Sequence, residues 1–352
     1  MKKPNPRLKN IPRRAAMNVL LLTFILLYPL TAGLYRIDIM AKVIPLMVFA
    51  LSVDLLWGYT GIMSLGQAVP FGIGAYIAAI SNNVSVGIPS YMRTYGITEV
   101  PAVFRPLTNP YLGMALAILI PCLLSFVIGR LLLTGKVRGV FVSLITMALS
   151  NVLMLAVNNA QRFTGGSNGV NNVSRPSLFG HVLSITENYY FVALIAALAF
   201  AVCAALTSTK LGKVLGAIKV NENRVAFIGY NVTSYKVFIY VFSSALAAMA
   251  GILYARTCGM VSPSLTGLSL SISAIIWVAV GGRGHLTGAL FGCLLLNGLE
   301  RIMAGIIGDA WELVIGVILL LIVFCVPDGL VGTLLTARPK VKGLQKKEAA
   351  NG

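Results

Sequence analysis

The chain has 352 residues, of which 57% are hydrophobic and only 11% charged, against roughly 45–50% apolar and 25% charged in a soluble domain. A water-soluble fold has no interior large enough for that much apolar surface, so most of it must face lipid. The net charge of +18 does not point to nucleic acid, because the cations lie in short segments between apolar runs rather than on one folded face. The five cysteines, Cys122, Cys203, Cys258, Cys293 and Cys325, are odd in number and widely spaced. They match no disulfide or metal pattern and read as small buried hydrophobes.

In chain order, residues 1–16 form a basic arm carrying Lys2, Lys3, Arg7, Lys9, Arg13 and Arg14. The run from Met17 to Tyr35 lacks a small-residue cleavage site and is long enough to be a retained span. A second span is expected at 39–57. A third, at 61–80, is rich in glycine and interrupted by Pro70. Further spans follow at 111–134, 139–157, 189–206 and 236–256, a pair at 267–281 and 286–304, and a last one at 310–326. Glycine-interrupted segments can be re-entrant, so the expected fold is an all-α integral membrane protein with about 8–10 transmembrane segments. Two long loops, 81–110 and 158–188, and a basic tail, 333–352, complete the chain, with the membrane domain at 17–332.

Lysine and arginine set the orientation. Placing the N-terminal arm in the cytoplasm puts about 20 of the 28 Lys and Arg residues on the same side. These include Lys136, Arg138, Lys210, Lys213, Lys219, Arg224, Lys236, Arg283 and the tail cations. The outer face receives Arg36, Arg93, Arg105, Arg162, Arg175 and Arg256, which could meet acidic residues of a docking protein. Both termini are thus expected inside.

The longest inner loop, residues 208–236, is more than a linker. Leu211, Val214, Leu215 and Ile218 recur at helical spacing, and Lys210, Lys213 and Lys219 fall on other faces. Ser208 or Thr209 is placed to cap this helix. A second short helix is expected from Glu222 to Ile228, ended by Gly229. A short amphipathic element at an inner face either lies in the headgroups or docks in a groove on a partner.

The stretch LGKVLGAIKVNENRVAFIGYNVTSYK (211–236) resembles the cytoplasmic coupling loop of permeases in the branched-chain amino acid ABC importer family. Four further stretches, in family order, extend the resemblance: residues 54–80, TGGSNGVNNV (164–173), IIWVAVGGRGHLTGALFG (275–292) and PDGLVG (327–332). The phrases DLLWGYTG, NENR, GYNV and IWVAVGGRG are nearest to the urea-type branch, with Gln67 standing where that branch often has histidine. The resemblance implies a two-subunit permease fed by a periplasmic solute-binding protein and driven by two cytoplasmic ATPases. It implies that Gly212, Ala217, Ile218, Asn221, Glu222, Asn223, Arg224 and Gly229 contact the ATPase, with Ile218 as an apolar knob. The cargo it implies is urea or a short amide, with a branched-chain amino acid as the alternative reading. No G-x-x-x-x-G-K-[ST] occurs, so no nucleotide, cofactor or catalytic group is expected on this chain.

Polar residues inside the spans are candidates for the solute route. Ser64 and Gln67 lie in the segment containing Gly58, Gly61, Gly66, Gly72 and Gly74; those glycines either line a pathway or let helices approach closely. Ser143, Thr146 and Ser150 share one helical face. They either line the route or bond backbone carbonyls. Asp54, Glu300 and Arg301 are ionisable residues near span ends, where an interfacial role costs little. An ATP-independent urea channel or secondary transporter would not require the amphipathic inner loop, and His181 and His285 are too far apart in the topology to suggest a catalytic dyad.

Overall fold

The computed structural model describes residues 11–134, 139–178, 181–308, 313–314, 316–317 and 329–336. The extreme arm, Lys136 and Arg138, most of the expected span at 310–326, Cys325 and the basic tail lie outside the described residues. The protein is an all-α membrane protein. Among the described residues seven helices are long and apolar enough to cross a bilayer, and two shorter apolar helices accompany them.

Helix α1 (Ile11–Thr31) leads into α2 (Leu34–Val53), whose last turn widens into a π-helix, Asp54–Tyr59. Residues 61–67 are unwound, and α3 (Ala68–Val86) follows. Pro70 therefore does not interrupt a span. It sits in the first turn of α3, where its missing N–H has no intrahelical partner to lose. On the far side, α4 (Ser90–Thr94) and a 3₁₀ turn lead to α5 (Pro110–Thr134). Helix α6 (Val140–Asn159), the short α7 (Gln161–Thr164), a small β-hairpin (Ser177–Leu178 with His181–Val182) and α8 (Ile185–Ser208) come next. A capping box closes the start of α8: Ser184 accepts from the Glu187 amide while Glu187 accepts from the Ser184 amide. Then come α9 (Lys210–Val220), α10 (Glu222–Phe227), α11 (Val232–Cys258), α12 (Leu268–Gly281), α13 (Leu286–Ile307) and α14 (Gly329–Thr336).

Helix α2 is the hub. Its span is 89% buried inside the protein, and α8, α11, α12 and α13 all pack on it. A second group joins α3, α5 and α11. The α5, α6 and α8 spans are mostly exposed apolar surface, as bilayer-facing or subunit-facing helices require. Cys203 and Cys293 are free, fully buried and part of the core.

Lipid supplies no hydrophobic force between helices, so close van der Waals packing must hold them together. Glycine makes that approach possible. A Cβ on Gly74 would meet the Ala248 carbonyl at 2.6 Å, and one on Gly251 would meet the Phe71 carbonyl at 2.0 Å. Gly281 and Gly292 are in the same position across the α12–α13 contact. Gly66 and Gly72 likewise abut Thr146 and Thr266, so these glycines serve packing. On the far face, Gly165 and Gly169 adopt positive φ and lie against neighbouring backbone, which explains the glycines of TGGSNG. We predict that Gly251→Val lowers the thermal unfolding temperature of the purified protein by an amount equivalent to about 1–3 kcal/mol of overpacking strain. Gly298→Ala, which meets nothing within 4 Å, should be neutral or slightly stabilising in the same melt.

Candidate translocation and coupling site

The unwound stretch between α2 and α3 lies against the first turns of α6. There its backbone polar groups need partners that lipid cannot provide. The α6 hydroxyls supply them. Ser143 Oγ donates to the Met63 carbonyl at 2.7 Å, Thr146 Oγ1 accepts from the Leu65 amide at 3.1 Å, and Ser150 Oγ donates to the Leu65 carbonyl at 3.4 Å. Thr146 in turn donates to the Val142 and Ser143 carbonyls of its own helix. Ser64 Oγ accepts from the Gly66 amide at 3.3 Å. The α3 N-terminus is closed by Ser271, whose Oγ accepts from the Ala68 amide at 2.9 Å. Gln67 donates to Ser243 at 2.7 Å, and Ser243 passes a hydrogen bond to the Ser52 carbonyl of α2.

All five expected pathway residues thus meet around one break, and all are buried. In this conformation their polar atoms satisfy the break instead of facing an open lumen. Sequence periodicity placed the three α6 hydroxyls on one face. Their partner, an unwound segment about 80 residues away in sequence, has no periodic signature.

The hairpin of α9 and α10 sits at the opposite end of the molecule from the far-face loops. Its buried side is Gly212, Leu215 and Ile218. Gly212 lies so close to α8 that a Cβ would be 2.1 Å from the Thr207 carbonyl. Ser208 and Thr209 do not cap α9. Their hydroxyls donate back to Ala205 and Leu206 at 2.8 and 2.7 Å, because the last carbonyls of α8 are free acceptors. Asn221 does act as a cap: its Oδ1 accepts from the Arg224 amide at 3.1 Å and starts α10. Helix α10 ends one residue before the expected Ile228, and Gly229 takes φ +94°. Glu222 pairs with Lys236 at 2.6 Å, tying the hairpin to α11.

Among the expected coupling residues, Ala217, Asn221, Asn223, Arg224 and Gly229 are exposed, Glu222 is half-buried, and Gly212 and Ile218 are inside. Ile218 is not an outward knob, since it packs on Val225 and Val232. The outward apolar side chains are Val220, 86% exposed, Phe227, 89%, and Ile228, 76%. Phe227 lies two positions, about 200°, beyond the inward Val225 and so points outward, whereas Ile228 is exposed because the helix has already ended there.

Between hairpin and break lies a cavity of about 430 Å³, lined by Gly61, Met63, Ser143, Ile218, Lys219 and Glu222 among others. A polar cluster adjoins it through Trp57 and Lys219. Asp54, expected near an interface, is wholly buried. Its Oδ1 accepts from the Gly284 amide at 2.7 Å. Lys219 Nζ reaches from α9 to the Gly58 carbonyl of the π-helix. Arg283 stacks over Trp57 at 5.1 Å. Burial, and then the neighbouring Arg283, pull the Lys219 ammonium below its usual pKa, while Asp54 opposes them. The π-helix, the α12–α13 turn and the hairpin thus meet in one cluster. On the far face a larger cavity, about 750 Å³, is walled by amides, including Asn82, Asn83, Asn168 and Asn171, with Arg93 at its edge.

The model of branched-chain amino acid transport system permease components matches residues 35–323. The chain belongs to that family. Among its relatives, a probable branched-chain amino acid transport permease, LivM, of Methanocaldococcus jannaschii is 26% identical over 84% of this chain and 92% of its own length. The high-affinity branched-chain amino acid permease LivM of Escherichia coli is 24% identical over 95% of this chain and 77% of its own. The ribose import permease RbsC of Haemophilus influenzae is 26% identical over 63% and 70%. No solved structure matches the chain significantly.

For this permease-family chain, removing the acceptors at the break and the cluster should cost stability directly. Thr146→Val strands the buried Leu65 amide and Asp54→Ala strands the Gly284 amide, each at about 1–3 kcal/mol. Thr146→Ser and Asp54→Asn keep an acceptor and should melt closer to wild type in detergent. A Thr146→Val melt indistinguishable from wild type would refute the satisfying role given to that hydroxyl.

Proposed function

We propose that this chain is a membrane-embedded permease subunit of an ATP-binding-cassette importer. In this reading it is driven through the α9–α10 hairpin by a separate ATPase and sits in a bacterial inner membrane with the hairpin and both termini cytoplasmic. One observation carries the reading: the cavity where an amphipathic hairpin and a helix break share the same walls. A partner that moves the hairpin moves those walls. The distribution of Lys and Arg supports the orientation. Two cytoplasmic ATPases, a second homologous permease subunit and a periplasmic solute-binding protein would complete the machine, the last docking over the amide-lined far-face cavity.

For the cargo, the relatives named for branched-chain amino acids favour a small hydrophobic amino acid. A second reading, urea or a short amide, is supported by the chemistry at the break. Ser64, Gln67, Ser143, Thr146, Ser150 and Ser243 offer only neutral donors and acceptors there, and a neutral amide needs no counter-charge. Labelled leucine and labelled urea, offered to vesicles containing the assembled importer and ATP, separate the two. Saturable leucine uptake without urea uptake selects the first, and the reverse selects the second.

The coupling assignment rests on the exposed tip of the hairpin. Apolar anchors surrounded by polar side chains are the usual energetic centre of a protein interface. Phe227→Arg or Glu222→Arg should leave membrane insertion intact and lower ATP-driven uptake at least about tenfold, as loss of an interface anchor does. Gly212→Ala should also fail, because the hairpin could no longer seat on α8. Full uptake by the Phe227 and Glu222 variants together would sink the assignment.

A further inference from the structure

Helices α5 and α8 both lean on α11, and a groove of about 610 Å³ remains between them. Its walls are Met114 and Ile118 of α5, Phe191 and Ile195 of α8, and Met249 and Leu253 of α11, so it is apolar along its length. From Met249 to Arg256 is seven residues, roughly 10 Å of helix. At the far-face end of that path stands Arg256, two residues before α11 ends, beside Tyr111 at the start of α5. Tyrosine at a span end marks headgroup depth.

Arg256 lacks the partners a guanidinium needs. Its Nη1 touches Met114 Sδ at 3.6 Å, and Nη2 reaches Asn82 Oδ1 at 3.4 Å, an oxygen that Ser174 already uses at 3.0 Å. Nε is buried with no acceptor. Among the described residues no carboxylate pairs with it. A cation with five donors, two weak contacts and a low-dielectric flank calls for an anion. The groove leading from it, walled by α5, α8 and α11 with Ser177 at its rim, is shaped for a hydrocarbon chain.

We propose that this groove is a binding site for an anionic phospholipid, with the phosphate on Arg256 and one acyl chain along α5, α8 and α11. Charge complementarity favours this occupant over a neutral lipid, and the attached apolar channel favours it over free phosphate. Guanidinium matches phosphate bidentately, which an ammonium does not.

The full chain should be inserted in nanodiscs of equimolar phosphatidylglycerol and phosphatidylcholine, and its retained lipid read by native mass spectrometry. Phosphatidylglycerol should be retained preferentially, by about tenfold, the worth of one charge-assisted contact. Arg256→Gln should abolish that preference, and Arg256→Lys should keep part of it. Ala115→Trp, which fills the groove, should reduce retention of the lipid. Excess inorganic phosphate should not displace it. Equal retention of the two lipids by the wild type overturns the proposal. So does an unchanged preference in Arg256→Gln, displacement by phosphate alone, or an Ala115→Cys cross-link to a neighbouring subunit in membranes, which would place protein over the groove.

Discussion

A helix that stops inside a membrane leaves amides and carbonyls with no water to bond, and the rest of this architecture answers that constraint. The gap at 61–67 is closed from three directions: by the hydroxyl face of α6, by Ser271 of α12, and by Ser243 of α11, which accepts from Gln67 and donates to the Ser52 carbonyl of α2. Each contributor comes from a different part of the chain. The break is therefore satisfied only where α6, α11 and α12 all pack against it. Such a mutually dependent polar network has few alternative arrangements, because any half-satisfied version is costly in a low dielectric.

The π-helix just ahead of the break adds a mechanical consequence. Gly58 lies in the last turn before the break, where a carbonyl has no intrahelical partner, and the hairpin's Lys219 takes it. Asp54, one turn earlier, holds the α12–α13 turn through Gly284. Under the proposed function, force applied to the exposed tip at Phe227 and Ile228 passes through α9 to the end of α2. It meets little soft material on the way, since Gly212 and Gly58 sit too close to their neighbours for the helices to slide without moving them. The cavity of about 430 Å³ lies along that line.

The surfaces divide by chemistry in the same way. The hairpin face carries Lys210, Lys213 and Arg224, while the far face presents amides around a wide cavity. Between them the buried polar atoms at the break are neutral. The exposed flanks of α5, α6 and α8 are mostly apolar, and Arg256 of α11 stands beside them with no carboxylate partner among the described residues. The lipid contact proposed for this flank would make the bilayer itself one of the protein's partners.

Much of this was legible in the sequence because the relevant signals are local. Apolar run length marks a span, so α5, α6, α8 and α11 fall within a few residues of their expected bounds. Helical spacing exposed the amphipathic α9, and Gly229 punctuates the hairpin by a rule that depends only on neighbouring backbone; the cap at Asn221, and the failure of Ser208 and Thr209 to cap, emerge only in the fold. The family was readable for a related reason: its motifs sit where backbone geometry tolerates few residues, as at Gly169 and Gly212. What a residue meets across the fold is not a local property. Pro70 starts a helix, Ile218 turns inward, Asp54 is buried and the α6 hydroxyls are consumed by a distant break. Each of those outcomes depends on which segment packs opposite, and only the assembled helices decide that.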